Sequence, residues 1–375
     1  MKKPGTVALG LCLFLGASHL IMSRPGPSPG EQSRDLIVGV KIYAHEGALE
    51  GLFKEWRALG VNTVFVSPEL ATQGSFRRMA REEGIAVFLI LPIFYNQDEL
   101  KKDPGLYAIT DRGKKAKDDW VEFVCPTRPE YLERRTAAIV SLIEKVDPDG
   151  ISLDFIRYFV FWEMVYPERT VDSIADSCFD RSCLDVFQRE TGVRLPENLE
   201  GAAEKARWII SEHRREWIDW KCSVITRVVR SIAEAAKAAK PEIIINIHTV
   251  PWRREDFGGA IRIIAGQDLG ALAAQTDMIS PMCYWHMLKR SPAWIHEVVE
   301  DVYSQSRGRV IPSIQVGNAY LSENLSVDEF REALKEALKP PSGGVVFWNW
   351  DALARDPAKK AVVAAFFKSH SRPEN

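Results

Sequence analysis

The chain has 375 residues, 46% of them hydrophobic, which is enough to bury a large core. Its 49 basic and 51 acidic residues leave a formal net charge of −2, so no basic surplus points to nucleic acid and no acidic tail points to disorder. Eleven Trp and nine Tyr suit sugar rings, although most aromatic side chains in any globular protein are core.

In chain order, Lys2 and Lys3 precede the apolar run Val7–Leu15, followed by the small residues Gly16, Ala17 and Ser18. That is the layout of an export signal over residues 1–22, with an uncleaved N-terminal anchor as the alternative and membrane attachment through this segment its consequence. Residues 23–34 read as a Pro/Gly/Ser linker, so folding is expected from residue 35 to 371. The expected location is periplasmic, extracellular or membrane-anchored.

Beyond the linker, short β-branched runs alternate with amphipathic helical stretches. The predicted strands are Leu36–Ala44, Val61–Ser67, Ile85–Phe94, Gly150–Tyr158, Ile243–Val250, Met278–Trp285, Val310–Val316 and Gly344–Trp350. Helices are predicted at Leu52–Leu59, Tyr131–Val146, Ala202–Ala239 and Asp328–Leu338. Eight strand–helix pairs predict a (β/α)₈ TIM barrel in one domain. Inserts of roughly 35 and 40 residues follow strands 3 and 4, long for such connections and leaving from the face where barrels build their sites.

Alternation along strands sorts residues into lumen and helix-facing sets. In strand 4 the apolar set Ile151, Leu153 and Phe155 must face the helices, which turns Gly150, Ser152 and Asp154 inward. The same parity offers Lys41, Tyr43 and His45, then Ser67 and Glu69, Asn246 and His248, Ser280, Met282 and Tyr284, and Ser313 and Gln315. Convergent polar groups in a lumen suit a ligand pocket; a buried polar network that fixes the barrel is the plainer alternative.

Cys178 and Cys183 are close enough in sequence to pair in an oxidising compartment. As a metal motif the pair lacks two further ligands nearby, and Cys125, Cys222 and Cys283 read as ordinary buried thiols. No ligand spacing ties His45, His248 and His286 together, so neither metal nor cofactor is assigned.

The run Asp149-Gly-Ile-Ser-Leu-Asp-Phe-Ile-Arg-Tyr158 resembles the DGIxxDxIRY strand of uncharacterised bacterial glycoside-hydrolase-like barrel families. Cys125-Pro-Thr-Arg-Pro-Glu-Tyr131 is similar to their lead-in, and the segment from Ser177 to Pro196 to their cysteine-bearing insert. A more distant likeness is to chitinase-type (family 18) barrels, through Met282-Cys-Tyr284 and Gly343-Gly-Val-Val-Phe-Trp348. The chitinase acid/base Glu falls on Ile156 and the Asp after the sixth-strand Tyr on Trp285, so that mechanism does not carry over.

The resemblance implies cleavage of O-glycosidic bonds by paired carboxylates. Asp154 is the candidate nucleophile or charge stabiliser, or else a structural partner of Arg157 or Lys41. Glu163 is the first candidate for the second carboxylate, ahead of Glu69 and Asp351. Trp348 is the candidate sugar platform with Tyr284 and Trp285 as walls; Tyr43, Arg157, Tyr158, Asn246, His248 and Gln315 complete the expected binding set, with His248 a possible proton source. The expected partner is a carbohydrate. A carbohydrate-binding barrel that has lost catalysis is the competing reading; no GxSxG or HExxH motif supports another hydrolase class.

Overall fold

The computed structural model describes residues 36–370 apart from Ser322. The export signal or anchor and the linker predicted for residues 1–34 lie outside the described residues. No described helix is long and apolar enough to cross a membrane.

Eight parallel strands close into a barrel: β1 (Ile37–Ile42), β2 (Thr63–Val66), β3 (Ala86–Pro92), β4 (Gly150–Asp154), β5 (Ile244–Thr249), β6 (Met278–Cys283), β7 (Arg309–Val310 and Ser313–Gln315) and β8 (Gly344–Trp348). Closure runs through β7, whose second piece pairs with β6 on one side and β8 on the other, while β8 pairs with β1. Pro312 has no amide to give the ladder, and the strand is interrupted there. All eight predicted strands are present. The fourth is shorter than expected: it stops at Asp154 because Phe155 turns into the left-handed region (φ 49°).

The outer ring consists of α1 (Leu49–Ala58), α2 (Gly74–Glu82), α3 (Pro129–Val146), α4 (Arg214–Ala239), α5 (Leu269–Ala273), α6 (Ala293–Ser306), α7 (Val327–Ala337) and α8 (Pro357–His370). The long helix predicted from Ala202 is two, Ala202–Glu212 and α4, because His213 between them leaves helical geometry (φ −135°, ψ 31°). Each ring helix lays an apolar face on the barrel; α4 alone buries Trp217, Trp220, Val224, Ile225, Val228, Val229 and Ile232.

The strand starts share one device. Asn62 Oδ1 accepts the Val38 amide, Asp149 Oδ2 the Val87 amide and Asp277 Oδ2 the Ile245 amide, at 2.8–3.0 Å. In each case the residue sits before one strand and ties down an amide of its neighbour. Asp149, the acid that opens the strand-4 motif, is therefore structural, and Arg77 pairs with it from α2.

Strand parity holds inside the barrel. Ile37, Phe65, Phe88, Ile90, Met278, Ile311 and Val346 form an apolar plug in the lumen, separate from the main core under the helices. Gly150 belongs to this layer: a Cβ there would lie 2.2 Å from the Phe88 ring, so only glycine admits Phe88. Above the plug the lumen turns polar.

Both inserts leave from the C-terminal mouth. The first carries a small antiparallel hairpin (Lys117–Asp118 with Val121–Glu122), the second the helices Arg181–Thr191 and Ala202–Glu212. They meet through Thr110 and Ser177, which form a bridge.

Candidate active site

The polar layer begins as a chain of hydrogen bonds across adjacent strands. Asn246 Nδ2 donates to Ser152 Oγ (2.8 Å), and Ser280 Oγ donates to Asn246 Oδ1 (2.9 Å). Lys41 Nζ donates to the Tyr284 hydroxyl (3.2 Å), which lies 3.3 Å from Ser313 Oγ. Burial pulls the Lys41 ammonium down to about 8, against the opposing charge of Asp154.

His248 stands in the same layer. Its Nδ1 lies 3.3 Å from the Ser280 carbonyl, which can only accept, so Nδ1 carries the proton and Nε2 is left as a buried acceptor with no partner. Burial and the Lys41 charge hold the ring down to about 3. The expectation that His248 supplies a proton is corrected: it is neutral at ordinary pH and can only accept through Nε2.

Asp154 ends β4 at the top of this layer, inward and 7% exposed, its Oδ1 accepting the Phe155 amide at 2.8 Å. Glu163 follows on a short 3₁₀ turn (Trp162–Met164), 8% exposed and with Oε2 lacking a partner. Burial raises the Glu163 carboxyl to about 7; Arg157 opposes the rise and the charge of Asp154 adds to it. The two acids thus share one electrostatic site. Tyr284 and Tyr320 both feel the charge of Glu163.

Arg157 is buried beside both acids, with Nε and Nη1 unpartnered. Its guanidinium instead lies over Phe123 (4.8 Å) and Phe155 (5.2 Å). Phe155, turned by its positive φ, leaves the helix-facing set predicted for it and stacks on Tyr95 at 4.8 Å.

The aromatic wall continues through Trp120, which packs edge-on to Phe155 and Phe161 and donates to the Tyr320 hydroxyl at 2.9 Å. Trp348 is half-buried and stacks on Tyr284 (4.3 Å, 14°), and Tyr43 is 41% exposed.

The structure therefore brings together Asp154, Glu163, Arg157, Asn246, His248, Tyr43, Tyr284 and Trp348. Gln315 is buried nearby, but its amide is spent on the Met287 amide and the Gly317 carbonyl. Two expectations fail. Trp285, 1% exposed, lies in the turn after β6 and packs in the core. Tyr158 lies beyond the strand end, fully buried under the Lys221 ammonium. Glu69 and Asp351 sit on short helices after β2 and β8 and are exposed.

Lys41, Tyr95, Trp120, Phe155 and Tyr320 belong to the site without having been singled out for it. Lys41 carried a parity signal, and the alternation of strand 4 pointed Phe155 to the wrong face; Tyr95, Trp120 and Tyr320 come from loops, where no periodicity marks direction. A groove of about 1180 Å³ lies well away from this chemistry, between α3, α4 and the Arg181–Thr191 helix, lined by Leu132, Val140, Val186 and Val228.

The closed (β/α)₈ barrel resembles solved structures of glycoside hydrolases. The glycoside hydrolase domain of PgaB (BpsB) from Bordetella bronchiseptica matches with a TM-score of 0.66 at 11% identity, over 88% of this chain and 98% of that one. The β-galactosidase of Marinomonas ef1 gives 0.67 at 11% identity, over 89% of this chain and 59% of its own. An α-L-fucosidase from Paenibacillus thiaminolyticus gives 0.55 at 14%, over 89% and 49%.

This chain thus spans one whole hydrolase domain in the first case and only part of the other two enzymes. At these identities the likeness establishes the fold alone. These neighbours do not support the chitinase-type likeness read from the sequence. No protein-family model matches the chain, and no curated protein matches it by sequence.

Proposed function

We propose that this protein is an exported glycoside hydrolase that cleaves O-glycosidic bonds of an oligo- or polysaccharide with Asp154 and Glu163. One observation supports the reading: Asp154 and Glu163 are both buried and close enough to feel one another's charge, and burial raises Glu163 to about 7. Glycoside hydrolysis needs an acid that is still protonated near neutrality beside a second carboxylate that faces the sugar. Glu163 suits the acid. Asp154, at the end of β4, suits the nucleophile or charge stabiliser, with its position held by the Phe155 amide.

Trp348 offers the sugar a ring face backed by Tyr284. The Nε2 acceptor of His248 is left for a hydroxyl. Export rests on Lys2, Lys3 and the Val7–Leu15 run.

The test is a panel of aryl-glycosides and polysaccharides assayed for both turnover and binding. Turnover of a panel member, lost in Glu163→Gln, supports the reading. A folded protein that binds a glycan tightly and cleaves none overturns it in favour of a carbohydrate-binding barrel, the second reading, which the enclosure of both acids keeps in play.

A further inference from the structure

Away from the barrel lumen, the two inserts converge on four buried ligand-type side chains. Cys125 leads into α3; Cys178, Asp180 and Cys183 come from the insert after β4. One donor atom from each lies within 4.8 Å of all the others. The three thiols are free, wholly buried and not joined to one another, with Cys125 Sγ and Cys183 Sγ 3.3 Å apart. The reading of Cys125 as an ordinary core thiol is therefore corrected: it meets Cys183, 58 positions away, beside Cys178.

We propose that Cys125, Cys178, Cys183 and Asp180 bind a divalent transition metal of the zinc class in a closed, tetrahedral, structural site. The donor set fits. Zinc takes Cys thiolates at about 2.3 Å and carboxylate oxygens at about 2.0–2.2 Å, which sets tetrahedral S···S separations of about 3.8 Å, within reach of these positions by small rotamer adjustments. A covalent S–S bond would need about 2.05 Å and could join two of the sulfurs only by leaving the third alone.

The surroundings suit bound thiolates. The Ile109 amide donates to Cys178 Sγ at 3.3 Å, and Thr127 Oγ1 lies 3.2 Å from Cys125 Sγ and 3.1 Å from Cys183 Sγ. Arg128 donates to Asp180 at 2.6 Å and offsets the surplus negative charge that three thiolates and a carboxylate place around a dication. With no side open to solvent, the ion would have no free position for substrate, which makes its role structural. It would staple the lead-in to α3 to the insert that carries Glu163.

The experiment is metal analysis of the purified full chain, with cobalt(II) alone as a spectroscopic probe. The expected result is one equivalent of zinc per chain. Cobalt added to chelator-treated protein should give a thiolate-to-metal charge-transfer band with the visible bands of tetrahedral cobalt. Both signals should vanish in Cys178→Ser, and Arg128→Met, which keeps every ligand, should weaken cobalt binding by roughly 10–100-fold. Chain that takes up neither zinc nor cobalt, or that yields a disulfide between two of the three cysteines on mass spectrometry without reduction, would overturn the assignment. None of these readouts depends on sugar cleavage, so the proposal stands or falls apart from the hydrolase reading.

Discussion

The indole of Trp348 lies flat on the phenol of Tyr284, 4.3 Å between centroids at 14°, so one face of Trp348 is committed. Trp348→Ala should weaken glycan affinity beyond what its cost in stability explains. Removing a buried Trp can itself cost about 3–5 kcal/mol, so calorimetric binding and the thermal midpoint must be read on the same variant. Unchanged affinity in folded Trp348→Ala would remove Trp348 from the binding surface.

Glu163 predicts a pH signature in stability. Its carboxyl is raised from an ordinary 4.5 to about 7 in the folded chain, so between those values the native state holds a proton that the unfolded state has released. Stability must fall as pH rises through that window, by up to about 3 kcal/mol from this group alone, and level off above about 7. Glu163→Gln should lose this slope. Denaturant titrations of both proteins at pH 5 and pH 8 measure it; equal slopes would mean Glu163 titrates like an exposed acid.

Arg157 sets where that acid titrates. Its cation opposes the rise of the Glu163 carboxyl, so Arg157→Met should push Glu163 higher and move the alkaline limb of the activity profile to higher pH. A limb that stays put, in a variant that still turns over, would show that the limb belongs to another group.

How far these positions were legible follows from how far alternation reaches. Asp154 was readable as inward because period-two parity holds to the last residue of β4, with Ile151 and Leu153 fixing the other face. One residue later the rule lapses: Phe155 adopts positive φ, and Tyr158, assigned to the pocket by proximity, ends up beneath Lys221. Trp120 and Tyr320 meet across 200 residues of chain, and Cys125 meets Cys183 across 58; such contacts depend on how two inserts fold against one another, which no local pattern records.

The hydrogen-bond chain Ser152–Asn246–Ser280 supports the floor of the site. Asn246→Ala strands one hydroxyl in each neighbouring strand and should cost roughly 1–3 kcal/mol of stability. Asn246→Ala with an unaltered unfolding midpoint would mean these hydroxyls find other partners.

The central claim, that Asp154 faces the sugar as the charged partner of Glu163, is tested most directly by the hydrolysis rate of Asp154→Asn on a glycoside that the unmodified protein cleaves, with the unfolding midpoint measured alongside. The substitution keeps the shape and removes the charge that stabilises an oxocarbenium-like transition state. The account predicts a fall of orders of magnitude in rate in a protein that stays folded and still binds the glycan. A folded Asp154→Asn protein that turns over at close to the normal rate would contradict it.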